Sequence, residues 1–122
     1  MSTDLVELAE AVAARAYAPY SHYRVGAVVR ARDGREFVGV NVENAAYPLG
    51  VCAEKNAIAA AVAAGCRPGE LEAIGITASP CGGCRQWLHE FGLAVVSYRG
   101  EDGSVCTTSA EALLPGAWGL PQ

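Results

Sequence analysis

Apolar residues recur along the chain with two periods, and each period marks a kind of element. Between residues 4 and 17, Leu5, Leu8, Ala9, Val12 and Ala16 fall three or four apart. Asp4 stands in the first turn and Ser2 or Thr3 is available as a cap, so the spacing predicts an amphipathic helix. The segments YRVGAVVRA and REFVGVNVE flank Asp33-Gly34, a dipeptide that supplies the positive φ of a tight turn, and predict an antiparallel hairpin. Residues 44 to 51, with Pro48 and Gly50, predict a loop.

From Cys52 to Ala64 the chain is rich in alanine, with Ile58 and Val62 four apart and Gly65 placed to end a helix packed close to a sheet. LEAIGITA predicts a third strand. Pro80 opens another helix, on which Cys84, Trp87, Leu88 and Phe91 share one face before Gly92 stops it. LAVVSYR predicts a fourth strand, and SVCTT, after Asp102-Gly103, a weaker fifth. Strands separated by helices predict an α/β fold, a sheet with parallel neighbours and helices on its faces.

Length and composition place these elements in one domain spanning residues 1–122, 52% hydrophobic and 18% charged. The net charge is -4 and no run of Lys or Arg occurs, so no nucleic-acid partner is expected. The N-terminus carries acidic residues where a signal peptide needs basic ones, and the longest apolar stretch, Ala57 to Cys66, is about half of the ~20 residues a membrane span requires. Neither export nor a membrane partner is expected. Five cysteines, an odd number, favour metal or catalytic use over a disulfide framework and fit a reducing cytoplasm.

Three of those cysteines fall at helix starts: Cys52 on the second helix, Cys81 and Cys84 in the first turn of the third. Free N–H groups and the helix macrodipole favour thiolates there. Together they can grip zinc and leave a fourth tetrahedral position to solvent, as a catalytic site does. Glu54, two residues past Cys52, is then held beside the ion as an acid/base group. A closed structural zinc would have to recruit Cys66 or Cys106 and would give Glu54 no role. Cys66 and Cys106 read as packing residues, and His22 and His89 lack a partner at ligand spacing.

A Cys/His-x-Glu followed by Pro-Cys-x-x-Cys marks zinc-dependent nucleobase deaminases. With CAE and SPCGGCRQ, and with YAPYSHYRVGAVV, NVENAAYPLG and ALLPGAW in the same order, nearly the whole chain resembles the small homotetrameric cytidine deaminases of the three-cysteine type. The resemblance implies a three-layer α/β/α fold with a mixed five-stranded sheet whose first two strands form an antiparallel hairpin. It implies one Zn2+ per subunit on Cys52, Cys81 and Cys84, with Glu54 as the catalytic acid/base. Asn41 and Glu43, two apart on a strand and so on one face, would bind the sugar 3′-hydroxyl. The backbone at Ala53 and Ser79 would orient the pyrimidine, Tyr23 would lie against the ring, and Trp118 would reach a neighbouring subunit's site in a homotetramer.

The implied activity is hydrolytic deamination of cytidine and 2′-deoxycytidine to uridine and 2′-deoxyuridine, a step of cytoplasmic pyrimidine salvage. The alternatives are a deaminase of the same fold acting on another aminated nucleoside, such as blasticidin S, and a non-enzymatic structural-zinc protein. The chain departs from the family pattern at Lys55, where relatives often carry Arg, at Tyr23, where Phe is usual, and in the short Thr77-Ala78 connection between Ile76 and Ser79.

Overall fold

A computed structural model describes residues 2–122; the side chains of Ser2 and Thr3, the expected cap of the first helix, lie outside the described residues. Helix α1 is Ser2–Ala13, shorter than the spacing predicts. Beyond it the chain turns extended, because the Tyr17 amide donates to the Asn41 carbonyl at 3.1 Å and the Glu43 amide to the Tyr17 carbonyl at 2.9 Å. Pairing with that strip replaces the last helical turn.

The hairpin is present as β1, Gly26–Ala31, and β2, Glu36–Val40, with Val28 opposite Val38. Helix α2, Ala53–Ala63, ends as expected: Gly65 takes φ 104°, its amide donates to Val62 and the Cys66 amide to Ala61, satisfying carbonyls the helix leaves open. β3 is Leu71–Ile76, α3 is Gly82–Phe91, β4 is Val95–Arg99 and β5 is Val105–Thr108. A short helix α4, Ala110–Leu113, was not anticipated; four residues are too few for a period to register, and its one local signal is the Ser109 hydroxyl, which accepts from the Ala112 amide.

The sheet runs β2-β1-β3-β4-β5 and is mixed. Expected parallel neighbours occur only at β3 and β4; β1 pairs antiparallel with both β2 and β3, and β5 antiparallel with β4. The helical crossover through α2 still joins two parallel strands, β2 and β3, but β1 lies between them.

Alternation along β1 assigns the layers. Val28 joins Leu5 and Ala9 of α1 on one face, while Ala27 and Val29 join Ala57, Ile58 and Leu88 of α2 and α3 on the other. The result is the expected α/β/α arrangement. Among the described residues no helix is long and apolar enough to cross a membrane.

Gly39 of β2 fixes the height of α2 above the sheet. A Cβ there would stand 2.3 Å from the Ala57 nitrogen and 2.4 Å from the Ala53 oxygen, both backbone atoms at the start of the helix. A Gly39→Ala chain is expected to lose about 1–3 kcal/mol, read as a fall in the guanidinium unfolding midpoint with an unchanged slope.

Candidate active site and metal centre

The two helix starts deliver their sulfurs to one point. Cys52 and Cys81 are the N-cap residues of α2 and α3, both with extended backbone and neither using its side chain to cap. Cys81 thus stands just outside the turn in which it was expected, and Cys84 lies inside it. The Cys52 and Cys81 Sγ atoms are 3.8 Å apart, and all three sulfurs lie within 4.8 Å of one another. Sulfurs bonded to tetrahedral zinc at about 2.3 Å stand about 3.8 Å apart, whereas a disulfide needs roughly 2.05 Å.

The donor chemistry fits a divalent cation. Burial raises the Cys52 and Cys84 thiols above their ordinary range, and for Cys84 the nearby Glu54 and Cys52 charges add to it. Burial also raises Cys81, but hydrogen bonds from the Cys84 amide and from the Cys84 and Cys52 thiols outweigh it, leaving Cys81 lowered. Three sulfurs so close cannot all ionise alone; a bound cation makes three thiolates compatible. Among the described residues no fourth ligand joins the group, since Cys66 is core and Cys106 lies on β5.

Glu54 is buried, 4% exposed, in the first turn of α2. Burial raises its carboxyl, opposed by hydrogen bonds from its own amide and the Cys84 thiol and by the Lys55 charge. Burial thus makes its protonated form easier to reach than that of an exposed glutamate, as an acid/base group requires.

Above these groups opens a cleft of about 300 Å³ lined by Tyr23, Asn41, Glu43, Cys52, Ala53, Glu54, Ser79 and Cys81, together with Ser21, Val25 and Ala78. Eight of the expected residues meet here, and Cys84 lies buried behind them. Trp118 does not; it is 69% exposed and borders a separate apolar cavity with Trp87 and Phe91.

Residues 1–99 match the model of the cytidine and deoxycytidylate deaminase zinc-binding region. A cytidine deaminase of Sporosarcina psychrophila is 40% identical over 91% of this chain and 88% of its own. A probable cytidine deaminase of Dictyostelium discoideum is 42% identical over 83% of this chain and 72% of its own. The crystal structure of cytidine deaminase from Burkholderia pseudomallei superposes with a TM-score of 0.87 at 43% identity, covering 97% of this chain and 99% of that one. The chain belongs to the cytidine and deoxycytidylate deaminase family.

Within that family frame, the sugar-binding candidates are already engaged. Asn41 Oδ1 accepts from the Val25 amide and Nδ2 donates to the Tyr23 carbonyl, each at 2.8 Å. Glu43 Oε1 accepts from the Tyr20 and Ser21 amides at 2.9 and 3.1 Å, and Oε2 accepts from the Ser21 hydroxyl. That hydroxyl, and then the two amides, hold the Glu43 carboxyl below its ordinary range. Both residues lie just past the end of β2, in the strip bridged to Tyr17 and Val51. They therefore fold the 18–25 segment over the cleft and keep one amide N–H and carboxylate lone pairs for a ligand. Ser21 lies within YAPYSHYRVGAVV but has no periodic signal of its own, so the sequence assigns it no role.

The family departures also find places. Lys55 Nζ lies 3.3 Å from where a Cβ on Gly83 would stand, so the glycine leaves room for an ammonium over the start of α3. Tyr23 is 62% exposed, and solvent can partner its hydroxyl. Zinc titration of metal-stripped protein is expected to saturate at one ion per chain, monitored by protection of thiols from a chromogenic disulfide reagent. Cys84→Ala should abolish tight binding, and Cys106→Ala should leave it intact.

Proposed function

We propose that this chain hydrolyses the 4-amino group of cytidine and 2′-deoxycytidine, releasing ammonia and leaving uridine and 2′-deoxyuridine. The observation that carries the reading is the juxtaposition of a buried Glu54 carboxyl with three convergent sulfurs at the floor of a cleft walled by Asn41 and Glu43. Zinc held by Cys52, Cys81 and Cys84 supplies Lewis-acid activation of water. Glu54 takes a proton from the attacking water as its oxygen adds to C4, and places that proton on N3. It then takes the proton of the new hydroxyl and gives it to the departing amine, so the C4 carbonyl forms as ammonia leaves. One carboxyl serves as base and acid in turn.

Asn41 and Glu43 hold the sugar 3′-hydroxyl, the backbone at Ala53 and Ser79 orients the base, and Tyr23 closes over the ring. A free base offers those groups no hydroxyl, so nucleosides are preferred. Loss of ultraviolet absorbance is expected with cytidine and deoxycytidine and not with cytosine, adenosine or blasticidin S; no reaction with either cytidine would end the reading. Glu54→Gln should fold, retain zinc and lose on the order of 10²–10⁴-fold in kcat, measured by the same assay.

The enzyme works as a homotetramer whose subunits share active sites, in the cytoplasm. Support for the assembly comes from exposed apolar side chains on the turn after Glu43 and on the C-terminal arm: Tyr47 is 75% exposed, Leu49 68%, Trp118 69% and Leu120 67%, surface that a partner copy would cover. In that assembly Trp118 approaches the cleft of a neighbouring copy. Light scattering coupled to gel filtration is expected to give about four times the chain mass of 12.6 kDa, with Trp118→Ala shifting the distribution to smaller species.

A further inference from the structure

Arg85 follows the last metal-site cysteine, and its side chain turns back across the start of its own helix. Nε donates to the Pro80 carbonyl at 2.9 Å and Nη2 to the Ser79 hydroxyl at 3.3 Å, while its backbone amide donates to the Cys81 carbonyl at 3.0 Å. The side chain thereby grips two consecutive residues of the connection between β3 and α3, Ser79 and Pro80, while the amide bond to Cys81 is the first i→i−4 bond of the helix. That connection forms a wall of the cleft through Ala78, Ser79 and Cys81. Pro80 within it is buried, so its carbonyl needs a donor, and the Arg85 guanidinium supplies one.

The third arm of the fork reaches elsewhere. Nη1 donates at 3.2 Å to the carbonyl of Leu113, the last residue of α4, which a four-residue helix leaves without an internal partner. The next side chain along α3, Gln86, holds the Trp118 carbonyl at 2.9 Å. Two adjacent residues of α3 thus fix the C-terminal arm relative to the turn carrying Ser79 and Cys81.

We propose that Arg85 is a positioning residue, setting Ser79 for substrate and, through the adjoining Pro80, the Cys81 N-cap for metal, while tying both to the C-terminal arm. The substrate half rests on the deaminase reading; the metal half does not. Lysine cannot substitute, because a single ammonium on a flexible stem cannot span three acceptors held in one plane by a guanidinium.

The test uses Arg85→Lys and Arg85→Gln in the zinc-loaded full chain. Arg99→Gln is the control, since Arg99 makes a comparable fork to Glu10 and the Gly103 carbonyl away from the cleft. Circular dichroism and thermal midpoints establish folding and stability loss. Zinc release into excess chromogenic chelator and kcat and KM for cytidine are then measured below every midpoint. Both Arg85 variants are expected to release zinc about tenfold faster or more and to lose about 10–100-fold in kcat/KM, while Arg99→Gln loses stability and alters neither.

Arg85→Lys keeps the charge and stem, so it is the variant that decides. Wild-type zinc release in that chain, or equal effects from Arg99→Gln, would overturn the proposal. A wild-type enzyme inactive on both cytidines would remove the deaminase reading, and zinc release would still decide the role of Arg85.

Discussion

Three sulfur atoms from two helix starts have to meet within the radius of one ion, and much of the architecture serves that requirement. A helix start is a good place for a thiolate because its amides and macrodipole favour negative charge, but it is also a loose place unless neighbouring elements fix it. Here α2 is pressed onto β2 at Gly39, where the helix backbone sits almost on the strand. α3 is fixed from the other side by Leu88 in the core and by the hydrogen bonds of Arg85 to the turn before it. Buried Glu54 then inherits its place from Cys52, two residues away on the same first turn.

The rim of the cleft follows a different logic. The 18–25 segment carries no regular structure, and His22 within it adopts φ 61°, a conformation that costs a residue other than glycine. Its order comes from outside, through the Glu43 carboxylate on the Tyr20 and Ser21 amides and the Asn41 amide across Tyr23 and Val25. The groups expected to receive a sugar are thus also those that shape the wall around it. On the proposed reading, sugar binding and loop order share one network, and a change at either residue would alter both.

Much of this was legible in the sequence. Asp33-Gly34 marks the hairpin, Gly65 and Gly92 end their helices, and the spacing of Cys52, Glu54, Cys81 and Cys84 points to the groups that the two helix starts bring together. What could not be read depends on contacts distant along the chain. The end of α1 is decided by Tyr17 pairing with residues 41–43, and the partners of β1 are decided by where α2 sets β3 down. Spacing put Asn41 and Glu43 on one face but could not say that loop amides already occupy them. Trp118, which resemblance assigns to a site in another subunit, borders in its own chain an apolar cavity with Trp87 and Phe91.

The helical crossover from β2 to β3 also sets how far along the chain the metal-site sulfurs lie from one another. Cys52 and Cys81 are 29 residues apart, with α2 and β3 between them, yet their sulfurs stand 3.8 Å from each other. An ion held by both would close that stretch into a loop, a cross-link that favours the folded chain over the unfolded one.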